Sequence, residues 1–333
     1  MKLVIYPPLD ANRLHAVEDV CGDMLVINAS DDEHALCEIV DADAFYGKIT
    51  PQLLQTAQQL KWIQSPTASL EHYLFPELIQ HPAVLTNMRG LFYDVIADHV
   101  LMFILMFCRG MHVYSRQQQR GEWNPLGGEQ SRSNFDTGPG LISDMDRAHR
   151  QLAGLTVGIL GVGSIGSEIA AHCHKMKMDV LAVDPYRTPE QPYISYLGGM
   201  DRTEELLNQS DFVVIAAPHT PETEGFFNFD RFRQMRDTAY LINIGRGAIV
   251  PLDDLRNALD NHEIAGAALD VAENEPLPQE DSLWRHPQVL ITPHVAACSV
   301  EIPKRHLETL VENVRRFAHG EALLNITNKE RWF

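Results

Sequence analysis

TVGILGVGSIGSEIAAHCHKMKMDVLAVD, residues 156–184, is the stretch that decides the fold. Thr156–Leu160 is a short apolar run rich in β-branched residues, the pattern of a strand buried on both faces. It leads straight into Gly161-Val162-Gly163-Ser164-Ile165-Gly166, after which Ile165, Ile169 and Ala170 recur at helical spacing. A second apolar run, Val180–Val183, ends on Asp184. In such a unit the first glycine makes a tight turn, the second admits a pyrophosphate to the backbone, and the third lets helix and strand pack closely. The helix start offers free N–H groups and a partial positive charge to the diphosphate. A lone GxGxxG says little, but here strand, turn, helix, strand and acid stand in order, with Asp184 18 residues beyond Gly166. The stretch reads as a dinucleotide-binding unit. A carboxylate at the tip of the second strand accepts ribose hydroxyls and repels a 2′-phosphate, so NAD is expected rather than NADP. Arg187, two residues after Pro185, reads as a solvated surface charge.

The rest of the composition narrows the class. At 333 residues the chain has room for two domains with separate cores. Its net charge of −18, without any long Lys/Arg run, argues against nucleic acid or an anionic membrane as partner. Five scattered cysteines without a CxxC pair read as reduced thiols of a cytoplasmic protein. His172-Cys173-His174 suggests a metal only superficially, because adjacent helix positions point in different directions, so no metal site is expected. The most apolar run, Val100–Cys108, is too short to span a bilayer and reads as buried helix.

Before the dinucleotide unit, residues 1–90 alternate short strands (Leu3–Tyr6, Met24–Asn28, Trp62–Gln64, Val84–Thr86) with polar segments, which predicts a small parallel sheet of its own. Asp94 to about Gln119 reads as one long helix. Residues 121–150, rich in Gly, Pro, Ser and Asn, read as a long loop with a short helix near Asp144–Arg150. After Asp184 the rhythm continues through strands Phe212–Ala216, Tyr240–Ile244, Ala265–Leu269 and Val289–Thr292, so six strands are expected between Thr156 and Thr292. Ser299–Ala318 is a final amphipathic helix. The expected architecture is α/β with two domains, a Rossmann NAD-binding domain (98–297) inserted in a smaller flavodoxin-like substrate domain (1–97 plus 298–333).

Three polar residues follow strand-like runs in the second half: Arg246 in Asn243–Gly247, Glu275 in Asp270–Pro276, and His294 in Thr292-Pro293-His294. In open α/β sheets ligands bind outside the carboxyl ends of the strands. Together the three suit hydride transfer to a 2-oxo acid. Arginine grips a carboxylate with a planar fork and polarises the neighbouring carbonyl. Histidine delivers a proton to oxygen as hydride reaches carbon. A glutamate beside it fixes the ring and favours the imidazolium.

ILGVGSIG (159–166), VIAAPHTPET (214–223), LINIGRGAIV (241–250), GAALDVAENEPLP (266–278), VLITPHVAA (289–297) and VENVRRFAHGEALLNIT (311–327) resemble the D-isomer-specific 2-hydroxyacid dehydrogenase family over nearly the whole chain. The family includes glyoxylate/hydroxypyruvate reductases and D-3-phosphoglycerate dehydrogenases. The resemblance implies Arg246 as substrate binder, Glu275 as the histidine's partner and His294 as acid/base. It implies a cofactor site lined by Gly161, Gly163, Ser164, Ile165, Gly166, Asp184, Pro218, Thr223, Ile244, Gly245, Arg246, Asp270, His294, Ala296 and Ala297, with Asp270 on the nicotinamide carboxamide. It further implies a homodimer formed through the cofactor domain. The carboxylate-binding loop departs from the pattern: Thr67-Ala68-Ser69-Leu70 stands where the family carries Ser-Ala-Gly-Val/Ile, which puts a side chain at Ser69 where backbone approaches substrate. Ala68 and Ser69, with Arg246 and His294, are the expected substrate contacts, and Met88, Arg89, Tyr93 and Trp284 are candidates for the pocket's border. The expected reaction interconverts a small D-2-hydroxy acid and its 2-oxo acid, running as a 2-oxo acid reductase. Two other readings are an NAD-sensing, corepressor-like interaction protein and a formate- or phosphite-type dehydrogenase on the same scaffold.

Overall fold

The computed structural model describes residues 1–131 and 140–332. It divides into two compact units, Met1–Phe92 with Cys298–Phe333, and Tyr93–Ala297. In the first, β1 (Lys2–Ile5), α1 (Ala11–Glu18), β2 (Leu25–Asn28), α2 (Asp32–Glu38), β3 (Ala44–Tyr46), α3 (Pro51–Thr56), β4 (Trp62–Gln64), α4 (Pro76–Gln80) and β5 (Val84–Thr86) alternate along the chain. Their all-parallel sheet has the order β2-β1-β3-β4-β5, the flavodoxin-like arrangement. Alternation sorts the strand side chains: Val4, Phe45, Ile63 and Leu85 enter the core on one face, and Leu3, Ile5, Ala44, Tyr46 and Trp62 that on the other. Asp10, Asp31 and Thr50 each accept backbone N–H groups at the start of α1, α2 and α3, which fixes where those helices begin.

The second unit holds α5 (Tyr93–Cys108), α6 (Met111–Arg120), α7 (Asp144–Ala148), β6 (Thr156–Leu160), α8 (Ser164–Lys175), β7 (Asp179–Val183), β8 (Ile194–Gly198), α9 (Thr203–Gln209), β9 (Phe212–Ile215), α10 (Phe229–Phe232), β10 (Tyr240–Asn243), α11 (Leu252–Asp260), β11 (Gly266–Leu269) and β12 (Val289–Ile291). Seven parallel strands lie in the order β12-β11-β10-β9-β6-β7-β8, the doubly wound order of a Rossmann sheet with one further strand. The chain then returns to the first unit as α12 (Glu301–His319), whose Leu310 and Val314 join the core beside Trp62. Asn313, buried on the same helix, donates to Gln64 Oε1 at 2.8 Å. Thr86 gives its own proton to the same oxygen and accepts from Trp62 Nε1, both at 2.8 Å. Buried polar groups of β4, β5 and α12 thus satisfy one another, as burial requires.

Three expectations need correction. The helix read over Asp94–Gln119 is two helices: Gly110 takes φ 67°, a left-handed conformation, and α5 and α6 meet at 71°. The strand count rises from six to seven because Ile194–Gly198 adds an edge strand. In the first unit β3 was absent from the reading, yet it sits in the sheet between β1 and β4. Part of the loop expected over 121–150 lies outside the described residues. Its end forms α7, started by a capping box in which Ser143 and Asp146 satisfy each other's backbone N–H.

Candidate active site

The site is built on loops at the carboxyl ends of β6, β9, β10, β11 and β12, which touch in sequence. At the first of these, Gly161 takes φ +95° in the turn out of β6, and a Cβ on Gly166 would lie 2.0 Å from the Gly161 carbonyl oxygen. No such contact presses on Gly163: the nearest atom to a Cβ there is Arg187 Nη1, at 3.7 Å. The space beside Gly163 and the start of α8, which no side chain caps, form the cradle that a diphosphate needs. Arg187, read as a solvated charge, has its guanidinium at this turn.

Asp184 ends β7 and is 7% exposed. Its Oδ2 accepts the Val162 N–H at 2.8 Å, and its Oδ1 accepts those of Tyr186 and Arg187 at 2.8 and 2.9 Å. The carboxylate thereby ties the glycine turn to the loop after β7. Oδ2, with a single protein donor, retains capacity for a ribose hydroxyl.

After β9, Thr223 Oγ1 donates to the Pro218 carbonyl at 2.8 Å and accepts the Thr220 N–H, also at 2.8 Å, closing that loop on itself. The loop after β10 packs close by: a Cβ at Gly245 would lie 2.7 Å from the Ala217 carbonyl oxygen. Asn243 sets that loop's shape. Its amide donates to the Arg246 carbonyl at 3.0 Å, and its oxygen accepts the Gly245 N–H at 3.1 Å. Arg246 itself is half-buried, with Nη1 on the Gly245 carbonyl at 2.7 Å. Next to it, a Cβ at Gly247 would sit 1.9 Å from the Ala272 carbonyl, so only glycine lets the loops after β10 and β11 meet.

The loop after β11 carries two glutamates with different duties. Glu273 accepts the Leu252 N–H at 3.1 Å and so caps α11. Glu275 accepts the Ala272 N–H through Oε1 at 2.9 Å and faces His294 Nδ1 through Oε2 at 2.7 Å. Both side chains of that pair are partly exposed. His294 has φ 52°, in the left-handed region that a residue with a side chain seldom occupies. Its N–H reaches the Asp270 carbonyl at 2.8 Å. The structure therefore brings Glu275 and His294 into contact and places Arg246, through Gly247, on the adjoining loop.

The sequence assigns no role to Asn243 or Thr292, and it marks His99 only within Ala97-Asp98-His99, which stands where the family carries Ala-Glu-His. Thr292 Oγ1 is 2.6 Å from Asp270 Oδ1, and His99 Nε2, on α5, is 3.0 Å from Thr292 Oγ1. Burial pushes the His99 imidazole below its ordinary value, against the opposing pull of the Asp270 carboxylate. Thr292 stood in the TPH run but drew no notice beside His294.

Ala68 and Ser69 belong to the other unit, in the loop between β4 and α4. There Asn87 donates to the Ala68 carbonyl at 2.6 Å and Thr67 Oγ1 to the Ser69 carbonyl at 2.7 Å. Ser69 is not among the residues with positive φ, so its backbone has no need of glycine. Met88 is fully buried in that unit's core. Trp284 is partly exposed, its Nε1 bound to the Pro278 carbonyl at 2.9 Å.

A doubly wound sheet, an uncapped helix start behind a glycine turn, and a histidine–carboxylate pair on the same edge define a nicotinamide-dependent oxidoreductase. The family model for the NAD-binding domain of D-isomer-specific 2-hydroxyacid dehydrogenases matches residues 101–296, and the chain belongs to that family. A glyoxylate reductase of Thermofilum pendens is 31% identical over 312 residues, 92% of this chain and 84% of the relative. One of Korarchaeum cryptofilum is 28% identical over 299 residues, 88% of this chain and 84% of the relative. Among solved structures, a D-isomer-specific 2-hydroxyacid dehydrogenase of Xanthobacter autotrophicus in complex with NADPH and MES superposes with a TM-score of 0.78. It is 26% identical, with 100% of this chain and 99% of the other covered.

Proposed function

We propose that the protein is an NAD-dependent D-2-hydroxyacid dehydrogenase that runs as a reductase of small 2-oxo acids. The observation that carries this reading is the 2.7 Å pair of Glu275 Oε2 and His294 Nδ1, on the same sheet edge as the start of α8. With Nδ1 occupied, Nε2 is the nitrogen that exchanges a proton with the substrate oxygen. The bound dinucleotide supplies the hydride. Arg246 holds the substrate carboxylate, and its planar fork fixes the angle at which the carbonyl is presented. Gly161, Gly163, Ser164, Ile165 and Gly166 cradle the diphosphate. Asp184 takes the ribose, and Pro218, Thr223, Ile244, Gly245, Asp270, Ala296 and Ala297 line the remainder. The amides of Ala68 and Ser69 are suited to a carboxylate. Glyoxylate is favoured as substrate by the two glyoxylate reductases among the relatives.

NAD is preferred in this reading although the Xanthobacter neighbour was solved with NADPH. What supports this is Asp184 at the end of β7: if its carboxylate takes the adenosine ribose, a 2′-phosphate beside it meets a like charge. The partner is a second copy of the chain, joined through the cofactor domain. The net charge of −18 argues against nucleic acid or an anionic membrane as partner, and the free cysteines suit the reducing cytoplasm. No single helix among the described residues is long and apolar enough to cross a membrane.

The test is a reductase assay with NADH and NADPH against glyoxylate, hydroxypyruvate, pyruvate and phenylpyruvate. NADH should turn over faster, Asp184→Ala should narrow the gap, and His294→Gln should abolish most activity. Failure to reduce any 2-oxo acid with either cofactor would sink the reading, and a wild-type preference for NADPH would sink its cofactor half.

A further inference from the structure

His99 and Thr292 take no part in the mechanism above, yet they end a polar chain that leads to its central residue. Thr292 Oγ1 lies 2.6 Å from Asp270 Oδ1 and 3.0 Å from His99 Nε2. An ionised carboxylate only accepts, so the threonine proton goes to Asp270. The hydroxyl has no second proton, so it must accept from His99, which fixes the ring as the Nε2–H tautomer. Burial keeps that ring on the neutral side, and Phe103 braces it edge-on at 4.7 Å. Asp270 is itself nearly buried. Its Oδ1 also accepts the Val295 N–H at 2.9 Å, its Oδ2 the Ala296 N–H at 3.0 Å, and its main-chain carbonyl the His294 N–H at 2.8 Å. One aspartate thus fastens three successive amides, and the first belongs to a residue held at φ 52°.

We infer that His99 and Thr292 are positioning residues: by fixing the Asp270 carboxylate they hold the 294–296 turn, and so aim the His294 imidazole. This deepens the proposed function and rests on His294 being the proton donor. It assigns the Asp270 side chain a task besides the nicotinamide. It also gives a chemical reason for a histidine on α5, since a donor is needed there at neutral pH and a hydrophobic residue would leave Oγ1 unanswered.

Thr292→Val removes the hydroxyl at nearly constant volume, while Thr292→Ser keeps it. Reduction kinetics and NADH binding by fluorescence are measured for both. A misaimed donor should lower kcat on the order of ten- to a hundredfold in Thr292→Val. The NADH Kd should stay within about twofold, and Thr292→Ser should recover the rate. In a His294→Gln background Thr292→Val should have almost no further effect, because the group it aims is gone. Should Thr292→Val fail to fold, His99→Phe, which keeps a ring but no donor, is put through the same measurements. An unchanged kcat, a rise in NADH Kd alone, or full additivity with His294→Gln would overturn the inference. If instead His294→Gln keeps wild-type activity, the fault lies with the donor assignment, a different result from a silent Thr292→Val.

Discussion

Glu275 binds two groups with its two oxygens, and that division makes it the most informative single residue to change. Oε1 holds the Ala272 amide and Oε2 holds His294 Nδ1. A carboxylate there keeps the Nδ1 proton in place, which leaves Nε2 to carry or receive the working proton. In Glu275→Gln an amide that keeps the Ala272 bond presents NH₂ to Nδ1, so the neutral ring shifts its proton to Nε2. The base needed for oxidation is then on the wrong nitrogen, a defect that costs about 10⁴-fold where a triad aspartate is changed in the same way. Reduction should suffer less, because the proton it needs can still be carried on Nε2. Reduction and oxidation rates decide this; rates that match wild type in both directions would make Glu275 a loop fastener only. Arg246, Glu275 and His294 could be picked out in the sequence as candidates, because each follows a strand-like run. Their support could not. His99 and Thr292 are separated by 193 residues, and no local pattern announces a hydrogen bond across such a span. Nor does sequence tell Glu273, which caps α11, from Glu275, two residues on.

At the scale of elements, the turn between β6 and α8 separates glycines that close packing requires from one, Gly163, beside which there is space. A methyl on Gly166 would overlap the Gly161 carbonyl at 2.0 Å, whereas a methyl on Gly163 meets nothing closer than 3.7 Å. Gly166→Ala should therefore lower the melting temperature sharply or prevent folding. Gly163→Ala should melt close to wild type and yet bind NADH at least tenfold more weakly, since its methyl occupies the approach of the diphosphate, a loss of about 1.4 kcal/mol or more. Calorimetry with and without NADH separates the two; equal loss of stability in both variants would refute the distinction. This unit was readable because all its requirements are local. The elements missed were those whose identity depends on neighbours. β8 is an edge strand, its pairing with β7 broken by a register shift at Ala182/Val183, and Ile194–Gly198 carries no clean alternation. β3 has only three residues, all buried, and is a strand because β1 and β4 flank it. The long apolar run after Asp94 hid the left-handed Gly110 that ends α5.

For the whole molecule the two sheets were legible as alternating patterns, but the surface that would join two copies depends on which helix faces stay uncovered. In the cofactor unit α5 packs against α8, burying Ile96, Val100, Phe103, Ile104 and Phe107. Met102 and Leu105, spaced as neighbours on one helix face, remain exposed, as do Met111 on α6 and, beyond it, Trp123 at 87% exposure. Large apolar side chains exposed together mark an interaction surface. A chain with a net charge of −18 meets repulsion between copies, so a stable dimer needs apolar contact of more than about 1,000 Å² to outweigh it. Leu105→Asp puts a charge at one of these exposed positions without changing the residues around His294. Sedimentation velocity at micromolar concentration should show a wild-type dimer and a Leu105→Asp monomer. NADH affinity should be retained in the monomer, because the glycine turn, Asp184 and Asp270 lie on the loops at the strand ends and not on the exposed face of α5. Charge repulsion predicts in addition that salt shifts the wild-type equilibrium toward the dimer. A wild-type monomer, or a Leu105→Asp variant that stays fully dimeric, would place the interface elsewhere.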